Sequence, residues 1–105
     1  MAQKVPYLDF IAATTLKIES NTTARTLTGL DSTYTEAVRA DIFVDVSPIR
    51  YGFNYTPAAT TGHALDQQNT LTLYGYGEMK RFQHITGGAT DAQLFCTYKY
   101  PQGSK

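Results

Sequence analysis

The sequence predicts an all-β fold, an antiparallel sandwich, jelly roll or small barrel of about seven or eight short strands. Three observations carry that prediction. Apolar residues recur at every second position in several segments, turn-forming clusters punctuate the chain every ~8 to 12 residues, and no segment keeps a helical period. At 105 residues the chain has room for one core and one domain, residues 1–105. Eight Tyr, five Phe and a hydrophobic share of 42% supply that core and argue against a disordered chain.

In chain order, Tyr7 to Thr15 is apolar and β-branched enough for a strand, and Leu16 to Glu19 continues it or pairs with it. Ser20-Asn21-Thr22-Thr23 is a turn, Arg25 to Thr28 a short strand, and Thr28 to Ser32 the next turn. Thr33-x-x-Glu36 has the spacing of a helix-opening capping box, but the residues that follow contradict it. Val38, Ala40, Ile42, Val44 and Val46 alternate with Arg39, Asp41 and Asp45, and only Phe43 is out of pattern. A period of two sustained this far describes a half-buried strand. Ser47-Pro48 interrupts it, because proline cannot donate to a ladder.

A second alternating run places Ile49, Tyr51, Phe53 and Tyr55 on one face, with Arg50, Gly52 and Asn54 on the other. Thr56 to Asn69 is polar, rich in Thr, Pro, Gly and Asp, with Leu65 as its single large apolar anchor, and reads as a long loop crossing from one sheet edge to another. Thr70 to Tyr76 returns to strand character through Leu71 and Leu73, and Gly75-Tyr76-Gly77 supplies a turn. Met79 to Thr86 is a further strand carrying Phe82 and Ile85, and Thr86 to Asp91 is a turn. Ala92 to Tyr100 is the last strand, with Leu94, Cys96, Tyr98 and Tyr100 alternating against Gln93, Thr97 and Lys99, and Pro101 ends it. Residues 1–5 and 101–105 fall outside the pattern and read as loose ends, or as arms that become ordered on a neighbour.

Nine Lys and Arg balance nine Asp and Glu, which removes the field that would draw the chain onto nucleic acid or an anionic membrane. The charged share of 17% is below the usual ~25%, so the surface is expected to be largely neutral and partly covered. One cysteine permits no internal disulfide and no zinc-ligand spacing. No apolar run approaches the ~20 residues of a membrane span, and Lys4 is followed by Pro6 and Asp9 where an export signal would need an apolar stretch.

Candidate chemistry is weak throughout. Asp41 and Asp45 share a strand face but stand ~13 Å apart, beyond the ~5 to 9.5 Å of a glycosidase pair. His63 and His84 lack the spacing of metal ligands, and Cys96 sits mid-strand on the apolar face, where it behaves as a small hydrophobe. Gly75-Tyr76-Gly77 begins like a dinucleotide motif but lacks a third glycine and carries Glu78 where phosphate would sit. No catalytic, cofactor-binding or metal-ligating residue is therefore assigned. The tyrosines are more informative: they offer contact area with a polar tip at low entropy cost. Together with the polar loop they give a candidate protein interface of Tyr34, Tyr55, Thr60, Thr61, His63, Tyr74, Tyr76 and Tyr100. The absence of Trp weakens a sugar-binding alternative.

From residue 38 to 100 the chain carries Ile49-Arg50-Tyr51, Thr56-Pro57-Ala58-Ala59-Thr60-Thr61-Gly62-His63-Ala64-Leu65, Asn69-Thr70-Leu71-Thr72-Leu73, Glu78-Met79-Lys80-Arg81-Phe82 and Gly88-Ala89-Thr90-Asp91-Ala92-Gln93-Leu94. These segments resemble a family of small structural proteins of tailed bacteriophages, most specifically in Ala-Thr-Thr-Gly-His and Gly-Ala-Thr-Asp-Ala. The resemblance implies a small antiparallel β-sandwich, jelly-roll-like, without enzymatic activity or cofactor, located on the virion. Its expected role is capsid decoration or cement, with the major capsid protein or another virion protein as partner, in a homo-oligomer or symmetric array. The alternative is a carbohydrate- or receptor-binding module of a tail or head fibre.

Overall fold

The computed structural model describes residues 10–30 and 33–101. Among these, β1 (Phe10–Ser20), β2 (Arg25–Thr26), β3 (Arg39–Asp45), β4 (Ile49–Phe53), β5 (His63–Leu65), β6 (Thr70–Tyr74), α1 (Tyr76–Arg81), β7 (Phe82–Thr86) and β8 (Ala92–Pro101) follow in chain order. The strands form two antiparallel four-stranded sheets, ordered β1-β8-β3-β6 and β2-β7-β4-β5, packed as a sandwich. The expected arm at 1–5, the start of the first strand at Tyr7 to Asp9, the end of the turn at Asp31-Ser32, and 102–105 of the second arm lie outside the described residues.

The period-two reading of β3 holds: Ala40, Ile42 and Val44 are buried, while Arg39, Asp41, Phe43 and Asp45 face outward. No helix opens at the Thr33 capping box; the Thr33 and Tyr34 N–H groups both donate to the Gly29 carbonyl in a turn. A helix there would scatter the alternating apolar residues around its circumference, so burial overrides the local cap. Val46, just past the end of β3, departs from the alternation. Its φ is 76° and it is 49% exposed, not on the buried face, because Ser47 N–H reaches back to the Asp45 carbonyl at 2.9 Å and the chain turns sharply before Pro48.

β1 is one strand, paired with β8 from Phe10 opposite Pro101 to Ser20 opposite Ala92, with a register shift between Ala12 and Thr14. Asn21 Oδ1 accepts from Thr23 N–H at 3.0 Å and closes the following turn. β2 is shorter than Arg25 to Thr28 because Leu27 already turns into the core.

Two stretches correct the sequence reading. The segment 56–69 is not one loop: His63–Leu65 pairs with β4 as an edge strand, and an isolated bridge joins Ala58 and Thr61. Only Asp66 to Asn69 makes the expected crossing to the other sheet. Gly75-Tyr76-Gly77 opens α1 instead of a simple turn, and the strand expected from Met79 begins at Phe82. Gly75, at φ 88°, takes the left-handed conformation that starts it, Met79 N–H donates to the Gly75 carbonyl, and the Glu78 carboxylate accepts from Tyr74 N–H at 2.7 Å. Met79 is fully buried and anchors the helix.

The inward faces contribute Ile18, Ile42, Val44, Leu73, Leu94, Cys96 and Tyr98 from one sheet and Ile49 and Phe82 from the other. At the α1 end the core is closed by the strap between β2 and β3, through Leu27, Leu30 and Ala37. Tyr76 Oη donates to the Leu30 carbonyl at 2.7 Å and Tyr98 Oη to the Thr28 carbonyl at 2.6 Å, fastening that strap.

Candidate contact site

The hairpin β4–β5 brings several of the expected contact residues together. Asn54, at φ 52°, turns the chain out of β4, and its N–H donates to the Arg81 carbonyl at 3.1 Å. Tyr55 thereby leaves the face of Ile49, Tyr51 and Phe53 on which alternation had placed it. Its ring folds over Gly52, where an added Cβ would lie 2.7 Å from Tyr55 Cδ2. Gly62, at φ 121°, returns the chain close to β4; a Cβ there would stand 3.0 Å from the Tyr51 carbonyl oxygen and 3.1 Å from Pro57 Cβ. Arg50 Nη1 pins that return by donating to the Gly62 carbonyl at 3.0 Å. The His63 ring then sits 5.2 Å from that of Tyr51.

The result is an open recess of about 450 Å³ lined by Gly52, Phe53, Tyr55, Gly62 and His63. Tyr55 is 45% exposed. Thr60 and Thr61 are exposed on the adjoining turn, which reciprocal hydrogen bonds between Ala58 and Thr61 hold at 3.0 and 3.1 Å. Among the described residues no Asp, Glu, Lys or Arg lines the recess. Its chemistry suits a neutral guest: a ring or aliphatic group against Tyr55 and Phe53, with the His63 nitrogens and threonine hydroxyls for hydrogen bonds.

The other four expected residues lie elsewhere. Tyr34 stacks on Tyr98 with centroids 4.8 Å apart, and Tyr76 spends its hydroxyl on Leu30, so both serve the strap. Tyr74 is 64% exposed at the end of β6, with the Arg39 guanidinium 5.7 Å from its ring centroid. Tyr100 is half-buried beside a smaller recess of about 200 Å³ shared with Thr33, Thr35 and Glu36.

Cys96, His84 and Asp41 are tied into the fold. Cys96 is buried, and desolvation pushes its thiol up to about 12. His84 is fully buried; its Nδ1 shares a hydrogen bond with Ser20 Oγ at 2.9 Å, and its Nε2 is a buried nitrogen without a partner. Burial, then the nearby Arg25 charge, lowers its pKa to about 4. Asp41 is not simply solvated: burial raises its pKa, but hydrogen bonds from Lys99, Arg39 and Thr72 outweigh that and hold it below the usual carboxylate value. Its Oδ2 lies 2.8 Å from Lys99 Nζ and its Oδ1 3.0 Å from Arg39 Nε. Among the described residues no three His, Cys, Asp or Glu side chains gather as metal ligands.

Gly52, Phe53 and Gly62 also line the recess, and no periodicity marks them as a site, because their meeting depends on positive φ at Asn54 and Gly62. Also unassigned from the sequence is an aromatic pair on the outer face of the β1-β8-β3-β6 sheet, Phe43 and Phe95, with centroids 6.4 Å apart. The signal was present: Phe43 is the residue that breaks the polar face of β3. The chain matches no family model, no curated protein and no solved structure.

Proposed function

We propose that the chain is a non-enzymatic structural protein of a tailed-phage virion, a decoration or cement protein that binds major capsid subunits through the β4–β5 hairpin. The observation that carries this reading is the hairpin itself, which presents Tyr55, Thr60, Thr61 and His63 on a rigid sandwich as a neutral, partly aromatic surface. Strand orders β1-β8-β3-β6 and β2-β7-β4-β5, each interleaving distant segments, support the jelly-roll form that the reading expects. The burial of Cys96 and His84 favours a binding role over nucleophilic or acid–base catalysis.

Co-sedimentation with capsids that lack the protein tests the reading. Saturable binding is expected that varies little between low and high salt, since a neutral contact releases few counterions, and Tyr55→Ala with His63→Ala should weaken it about tenfold or more. Unchanged binding by that variant would remove the hairpin from the contact, and no binding by the wild type would remove the function.

A second reading, a carbohydrate-binding module of a fibre, draws on the same recess, whose Tyr55 ring and His63 imidazole could stack against and hydrogen-bond a sugar. Glycan binding without capsid binding would favour it.

A further inference from the structure

On the outer face of the β1-β8-β3-β6 sheet the strand registers define cross-strand rows; four of them, inside the terminal pairing of Phe10 with Pro101, carry the charged side chains of the described residues. From the α1 end, the first row is Lys99, Arg39 and Tyr74; the second is Thr15, Thr97, Asp41 and Thr72. The third is Lys17, Phe95, Phe43 and Thr70, and the fourth is Glu19, Gln93 and Asp45. Formal charges therefore run in the order two positive, one negative, one positive, two negative. That sequence is its own complement when reversed.

We infer that this face is a self-association surface whose partner is a second copy of the chain, packed sheet to sheet about a two-fold axis lying in the face and across the strands, between the second and third rows. The inference is independent of the virion reading. Reversing the row order sets the Arg39 and Lys99 row of each copy against the Glu19 and Asp45 row of the other, and the Asp41 row against the Lys17 row. The reciprocal contact satisfies the symmetry of an isologous dimer. The aromatic pair supplies the apolar centre: Phe43 is 36% exposed in the middle of this face, and Phe95 is half-buried beside it. Asp41 enters such a contact already neutralised by Lys99 and Arg39, whereas among the described residues Glu19 and Asp45 stand in no ion pair and gain one. Packed sheets lie ~10 Å apart with their strands within ~30°, which such an axis permits. Four strands at ~4.8 Å by four rows at ~6.7 Å give a footprint of about 500 Å² per copy, at the small end of specific interfaces, so a micromolar dimer is expected.

Sedimentation equilibrium of the purified chain from about 1 to 500 µM tests it. The wild type should show a concentration-dependent monomer–dimer equilibrium that weakens with salt. Phe43→Ser and Asp45→Arg, each first shown by circular dichroism to fold, should each raise the dissociation constant by about tenfold or more. Arg39→Asp combined with Asp45→Arg restores opposite charges across the axis and should recover at least half of the Asp45→Arg loss on a logarithmic scale. A wild type that stays monomeric throughout overturns the proposal, as does a dimer indifferent to Phe43→Ser. A dimer weakened by Phe43→Ser but not rescued by the charge swap overturns the axis.

Discussion

His84 is fully buried and its Nδ1 shares a hydrogen bond with Ser20 Oγ, so its charge state is coupled to folding. Its pKa is about 4 in the folded chain against an ordinary 6.5, so the unfolded chain takes the proton first. The stability that neutral His84 provides is complete above pH 6.5 and is lost as pH falls toward 4. At pH 5 the loss is about 2 kcal/mol relative to pH 7. Denaturant melts at the two pH values should show this difference, and His84→Phe, which keeps a ring of similar volume, should shrink it to a few tenths of a kcal/mol. Burial also sets the response on β3. Ile42→Asp places a carboxylate on a fully buried face and should prevent folding, at a cost of several kcal/mol against a total of roughly 5 to 15. Arg39→Ser on the outer face should cost ~1 kcal/mol, since it removes one of the two cations on a half-buried Asp41. Equal responses at the two positions would contradict the orientation of the strand.

The strap and the helix are the elements that depend most on single side chains. Tyr98→Phe leaves the Thr28 carbonyl without its donor, and Tyr76→Phe does the same at Leu30. Each should cost about 1 to 3 kcal/mol. Limited proteolysis of the double variant should cut first between residues 27 and 37, with the sandwich intact; cutting elsewhere would show that the strap is held by other contacts. Met79→Ala should cost about 2 to 5 kcal/mol, because the side chain is fully enclosed. How legible each element was follows from how it is stabilised. β3, β6 and β8 bury one face and expose the other, so their alternation could be read directly. α1 could not: six residues give less than two turns of periodicity, and its determinants are a left-handed Gly75, a Glu78 carboxylate turned back on Tyr74 and one buried Met79. β5 was hidden because its residues are exposed or half-buried, so no apolar pattern marks it. The recess suffered with it. Tyr55 and His63 were named from composition, but their meeting depends on Asn54 and Gly62 adopting positive φ, which no periodicity reports.

For the molecule as a whole, the sandwich presents two proposed contact surfaces: the β4–β5 hairpin and the outer face carrying Phe43 and Phe95. The tyrosines expected to form one interface divide between structural and exposed roles, and the division is physical. Tyr34 and Tyr76 lie where the strap needs ring contacts and a donor, whereas Tyr74 ends β6, Tyr55 lies just past the end of β4, and both are exposed. The proposed use of the hairpin surface is on a virion. Its most direct test is quantitative mass spectrometry of gradient-purified particles assembled with and without the gene for this chain. The protein is expected to co-purify with full particles at a constant ratio to the major capsid protein, and particles lacking it to lose integrity under heat or low ionic strength. Absence of the protein from purified particles would contradict that use.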